Sequence, residues 1–141
     1  MRSSAIFCLD AGVVVRSFQP DYPHVHRLWA EWRKTFPTLV APTLLRYEVT
    51  NAFYRQRQAG MLDDETLHRT LTRASALDIE FYDEPALHSD AVRIAEQHGL
   101  PAAYDAHYLA LSQRLGVDFF TTDAKLVKAV GDKLPWVRLV G

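Results

Sequence analysis

The chain holds one cysteine, Cys8, in 141 residues. A disulfide within the chain and a zinc site built on cysteines are thereby excluded. Cys8 lies inside an apolar run, which predicts a buried, inert thiol. No apolar run approaches the roughly 20 residues that a membrane-spanning helix needs. Met1 to Leu9 is too short and too weakly basic for a signal peptide, so a cytoplasmic protein is expected. Charge of one sign is also missing: 16 Lys and Arg stand against 17 Asp and Glu, a formal net charge of −1. Bulk attraction to a polyanion is therefore absent. An enzyme that meets nucleic acid through a bound cation does not depend on it, because the ion supplies the local positive charge. Repeats, linkers and low-complexity stretches are lacking too.

What is present is an ordinary globular composition, 48 % hydrophobic and 23 % charged. The length suits one domain over residues 1–141 with a core of its own. Ala5 to Leu9 is a continuous apolar run, which predicts a strand buried on both faces and hence a parallel sheet. It ends at Asp10-Ala11-Gly12. A helix is expected over Asp21 to Lys34, with Pro23 in its first turn, and a strand over Leu39 to Ala41, stopped by Pro42. Thr43 to Ala59 reads as a helix between Pro42 and Gly60. Asp63 or Asp64 caps another, running to Ala76. Leu77 to Tyr82 alternates apolar and acidic residues, the pattern of a strand with one wet face, as at a sheet edge. Helices follow over Pro85 to His98 and over Ala102 to Leu115. The second carries a 4-3-4 stripe of Tyr104, Tyr108, Leu111 and Leu115. Val117 to Phe120 is a strand, Asp123 opens a short helix to Val130, and Trp136 to Val140 is a last strand. Alternating strands and helices predict a three-layer α/β/α domain with a mainly parallel central sheet.

Four acids fall where acids are costly or aimed. Asp10 directly follows a buried strand, and ligands of open α/β sheets collect at the carboxyl ends of the strands. Capping the next helix or turn is the plainer role. Asp123 follows a strand in the same way and is also a good N-cap. Glu48 lies three residues after Leu45 and four before Ala52, on the apolar stripe of its own helix. A buried carboxylate there needs a partner. Arg46 or Arg55 would supply a salt bridge, and a cation would serve as well. Asp105 sits in a first helical turn, where the helix dipole favours an ionised acid. Adjacent strands lie roughly 4.8 Å apart, so the ends of neighbouring strands could bring Asp10 and Asp123 to one ion. A hard divalent cation resolves the repulsion of gathered carboxylates, and an oxygen-only donor set points to Mg²⁺ or Mn²⁺.

The run Gly99-Leu100-Pro101-Ala102-Ala103-Tyr104-Asp105-Ala106-His107-Tyr108-Leu109-Ala110-Leu111 resembles the third acidic motif of PIN-domain proteins, the VapC-type toxins in particular. Thr121-Thr122-Asp123-Ala124-Lys125-Leu126 resembles the motif that follows it. Leu9-Asp10-Ala11 resembles the opening motif, and Pro42 through Glu48 to Asn51 the second. Order and spacing match over essentially the whole chain. One departure is that Ala11-Gly12-Val13 follow Asp10, where members often place Ser, Thr or Asn. The resemblance implies an endoribonuclease dependent on Mg²⁺ or Mn²⁺, with Asp10, Glu48, Asp105 and Asp123 as catalytic metal ligands. It also implies a homodimer and a small antitoxin protein as partner.

Around such a site, Thr122 would hydrogen-bond a metal water or a phosphate, or else cap the helix that follows. Arg46, Arg55 and Arg57 are candidates for RNA phosphate contact, with a solvated helix face the plainer role for Arg57. Trp29 and Trp32, three apart on a helix, suit core or dimer packing better than base stacking. His24 and His26, two apart, do not share a helical face. The alternative function is a non-catalytic PIN-like RNA-binding or regulatory module. A phosphohydrolase of the haloacid-dehalogenase kind would need a second Asp after the first strand, and Asp10-Ala11-Gly12 lacks it.

Overall fold

The structure is a computed structural model and describes residues 4–141. Met1 to Ser3, the start of the segment weighed as a signal peptide, lie outside the described residues. Strands β1 (Ile6–Leu9), β2 (Thr38–Pro42), β3 (Ile79–Tyr82), β4 (Asp118–Thr121) and β5 (Val137–Leu139) form one sheet. Their order is β3-β2-β1-β4-β5, and every neighbouring pair is parallel. The helices are α1 (Ala11–Ser17), α2 (Pro23–Thr35), α3 (Leu44–Gln58), α4 (Asp64–Ser75), α5 (Ala86–His98), α6 (Tyr104–Leu115) and α7 (Ala124–Val130).

The chain steps from β1 to β2 to β3 in one direction, then returns past β1 to β4 and β5. Right-handed crossovers put the helices of the two directions on opposite faces. Helices α1 to α4 pack among themselves, while α6 packs on α5 and lies across β1, β2 and β4. The three expected layers follow, with an all-parallel sheet between them. Strand β3 is at an edge, as its alternating pattern predicted.

Cys8 and Leu9 of β1 are fully buried between the layers. Burial pushes the Cys8 thiol up to about 12, so it is the inert group expected. The two tryptophans of α2 are core residues. Trp29 Nε1 donates to the Val13 carbonyl at 3.0 Å, and Trp32 packs against Phe7 and Phe120.

Some boundaries differ from those expected. Helix α1 was not foreseen. Gly12 and three successive valines are poor helix formers, but Asp10 caps the segment and Val13, Val14 and Val15 are all buried. Tertiary burial outweighs propensity there. Helix α6 begins at Tyr104 and not at Ala102, and β4 ends at Thr121, one residue later than expected. Strand β3 begins at Ile79 and not at Leu77. Among the described residues, no helix is long and apolar enough to cross a membrane.

The strand order reverses between β1 and β4, and the crevice at such a switch point is where open α/β sheets place ligands. Leu9 pairs with Phe120 in the register, and the Asp10 N–H donates to the Phe120 carbonyl at 3.1 Å. The carboxyl ends of β1 and β4 thus deliver Asp10 and Asp123 to the same edge.

Candidate metal centre

Asp10 is the most constrained of the four acids. Its Oδ1 accepts from the Val13 N–H at 3.0 Å, which makes it the N-cap of α1. Its Oδ2 accepts from the Thr121 hydroxyl at 2.5 Å and the Thr122 N–H at 3.3 Å. Burial nevertheless raises its pKa to about 6, against these three donors, and the charge of Asp105 adds to the rise. The plain role of Asp10 as a cap and its aim at the crevice are therefore both real.

Glu48 lies on the inner face of α3, and its Oε1 accepts from the buried Tyr108 hydroxyl at 2.5 Å. Burial raises its pKa. The Tyr108 hydrogen bond opposes the rise, and the charge of Asp105 adds to it. The arginine partner considered for Glu48 is not the one used. The Arg46 guanidinium lies 4.1 Å above the Phe81 ring, in a groove between α3 and α4. Arg55 is exposed, seven residues further along α3, which is roughly 10 Å at the rise of a helix.

Asp105 occupies the first turn of α6, half-buried. Burial raises its pKa most. The charge of Asp123 raises it further, as does a hydrogen bond shared between the two carboxyl groups. Asp123 is the N-cap of α7, its Oδ1 accepting from the Lys125 and Leu126 N–H groups at 3.0 and 3.1 Å. Asp105 is thus the hub: it feels Asp123, and Asp10 and Glu48 both feel it. Among the described residues, none of the four acids is ion-paired with Lys, Arg or His.

The sequence profile described as PIN domain matches residues 7–132. The chain belongs to the PIN-domain family. Ribonuclease VapC3 of Pyrobaculum aerophilum is 30 % identical over 89 residues. That match takes in 60 % of this chain and 66 % of the relative, just under two thirds of its length. Among solved structures, a toxin–antitoxin complex from Klebsiella pneumoniae superposes with a TM-score of 0.69 at 17 % identity, covering 98 % of each chain. VapBC2 from Rickettsia felis, bound to a DNA fragment from their promoter, superposes with a TM-score of 0.64 at 15 % identity, covering 95 % of this chain and 96 % of that one. At such identities the two structures establish the shared fold.

The donor set of this PIN domain suits a hard divalent ion. It offers only carboxyl oxygens, no Lys, Arg or His pairs with them among the described residues, and two of the groups share one hydrogen bond. Among the described residues, no three His, Cys, Asp or Glu side chains already form a ligand cage as they lie. Mg²⁺ does not ask for one, since it keeps several waters and takes one or two carboxylates directly.

Two residues of the PIN-domain centre escaped the sequence reading. Thr121, fully buried, donates to Asp10 and accepts from the Asp123 N–H at 3.0 Å, so one hydroxyl ties the two strand-end acids together. Tyr108 was read as an apolar stripe residue, yet its hydroxyl orients Glu48. Gly12 has a role as well. A Cβ built there would lie 1.9 Å from Thr122 Oγ1. The Thr122 hydroxyl therefore fills the space that a side chain after Asp10 would take. Thr122 does not cap α7, because Asp123 does.

Proposed function

We propose that this PIN domain is an endoribonuclease that depends on Mg²⁺ or Mn²⁺ and acts as the toxin of a toxin–antitoxin pair. The observation that carries the reading is the set of four carboxylates around Asp105, mutually repelling and without a cationic partner. Such an arrangement costs stability and persists where a function uses it. When bound, a divalent ion supplies a water of lowered pKa and a counter-charge for the phosphodiester.

Asp10, Glu48, Asp105 and Asp123 would hold that ion, directly or through water. Thr121 and two backbone N–H groups fix the orientation of Asp10. Tyr108 occupies one oxygen of Glu48 and leaves Oε2 for the site. Arg55 keeps the proposed contact with RNA phosphate. Arg46, engaged with Phe81, is directed to another groove. Of the structures of similar fold, one is a toxin–antitoxin complex and another is VapBC2 bound to a DNA fragment from their promoter, which supports a small antitoxin as partner. The homodimer rests on the family resemblance, and the cytoplasmic location on the weakly basic N-terminus and the lack of a membrane-length apolar run in the sequence.

The test is cleavage of single-stranded and structured RNA with Mg²⁺ or Mn²⁺ by the parent, Asp10→Asn and Asp105→Asn. The parent is expected to cut in an EDTA-sensitive reaction, and both variants to lose at least about 100-fold, the scale of one removed electrostatic group. Undiminished cleavage by both variants would refute the assignment and leave a non-catalytic module.

A further inference from the structure

Beside the four acids lies a groove at the carboxyl ends of β2 and β3, lined by Tyr47, Tyr82, Leu87, His88, Tyr104 and His107. Two of these rings are unusually open to solvent for their size: Tyr47 is 72 % and Tyr104 67 % exposed. Tyr104 was expected to join the apolar stripe of α6. It stands free because the helix begins with it. Each ring immediately precedes an acid of the metal centre, Tyr47 before Glu48 on α3 and Tyr104 before Asp105 on α6.

The groove's charge excludes one occupant. Asp83 and Glu84 line it, and the nearby Arg114 is already bound to Glu84 at 3.3 Å and Asp90 at 3.0 Å. A phosphate would therefore meet acids and rings, with no free Lys or Arg among the described residues that line the groove. The histidines are turned on each other: His107 Nδ1 donates to the Ala103 carbonyl at 2.7 Å, and its Nε2 meets His88 Nδ1 at 2.9 Å. Both ring nitrogens of His107 are thereby engaged within the protein, and the two rings form an aromatic wall of the groove. Flat apolar rings and a carboxylate rim suit a nucleobase, which offers a π-face to the rings and amino hydrogens to a carboxylate.

We infer that this groove is a nucleobase subsite of the RNA substrate, in which Tyr47 and Tyr104 stack a base next to the phosphodiester held at the acids. This rests on the ribonuclease reading, and it assigns Tyr47 and Tyr104 the base of the strand, which must be unstacked to enter. Tyr47 and Tyr104 touch the base and not the reacting atoms, so they set affinity.

The test is fluorescence-anisotropy titration of a labelled 12-nucleotide single-stranded RNA, with Ca²⁺ replacing Mn²⁺ to hold the strand uncut. The proteins are the parent, Tyr47→Ala, Tyr104→Ala and Tyr104→Phe, and a strand of abasic nucleotides is titrated alongside. Each Ala variant is expected to bind roughly 5- to 100-fold more weakly, the usual loss for one stacked base. Tyr104→Phe should bind as the parent does, and the abasic strand should bind weakly and equally to all four. The subsite is overturned if both Ala variants bind like the parent, if Phe is as poor as Ala, or if the abasic strand binds as tightly as RNA. It is also overturned if the Ala variants keep RNA affinity but shift a dimer to monomer in sedimentation, which would make the face an interface between copies. Cleavage in Mn²⁺ separates the two levels of failure. A parent that cuts RNA alongside Ala variants that bind and cut equally well removes only the subsite. A parent that neither binds nor cuts removes the ribonuclease reading with it.

Discussion

Replacing Asp10 by Asn should make the metal-free protein more stable at neutral pH while destroying the proposed activity. The carboxyl of Asp10 titrates near 6 in the folded chain against an ordinary 3.8. The folded state therefore binds this proton more tightly than the unfolded state does. Its contribution to stability is fully present below about pH 4 and is lost as pH rises through 6. For those two values, linkage gives a loss of about 2 kcal/mol between pH 4.5 and 7.5. The measurement is urea unfolding in EDTA at several pH values, for parent and Asp10→Asn. The difference between the two proteins should move by about 2 kcal/mol across that interval in favour of the variant. Adding Mn²⁺ at pH 7.5 should then reverse the order. At fifty times its Kd an ion that binds only the folded state adds about 2.3 kcal/mol, and the parent should gain far more than the variant. Parallel pH profiles for the two proteins, or equal stabilisation by Mn²⁺, would refute the reasoning.

Three further substitutions probe how the acids are held. Tyr108→Phe removes the hydrogen bond that lowers the Glu48 pKa, while the ring, stacked on Phe119 at 5.5 Å, keeps its packing. Cleavage should fall and its acid limb should move to higher pH, read from the pH–rate profile. Thr121→Val keeps the shape but deprives Asp10 of its hydroxyl donor; a lost bond to a charged group is worth about 1.5–3 kcal/mol. Stability in urea at pH 7.5 should drop by that order, and the acid limb should again rise. Gly12→Ala drives a Cβ into Thr122 Oγ1 and should cost about 1–3 kcal/mol by overpacking. Combined with Thr122→Ala it should cost clearly less than the two changes summed, a coupling that thermal melts of the four proteins will show.

The alternation of apolar runs and helical stripes made the layered parallel sheet legible, because period and burial are written in residue type. Glu48 was legible for the same reason, a charge on an apolar stripe. Its partner was not. The sequence offered arginines two and seven positions away, but the structure uses Tyr108 from sixty residues further on, a contact that no local spacing records. Helix α1 was hidden because its glycine and valines argue against helix, and only burial by α2 and α3 overrides them. Thr121 was missed through a one-residue displacement of β4, which turned the last strand residue into the tie between Asp10 and Asp123. The departure noted after Asp10 has a physical answer as well: Gly12 leaves room, and Thr122 from the neighbouring strand end fills it.

The most direct test of the central claim is a crystal structure of the parent grown with Mn²⁺, with anomalous scattering used to place the ion. An anomalous peak contacting the carboxylates of Asp10 and Asp105, absent from crystals of Asp10→Asn, is the predicted result. Crystals soaked in Mn²⁺ that show no peak at these acids, or a peak elsewhere on the molecule alone, would contradict the account.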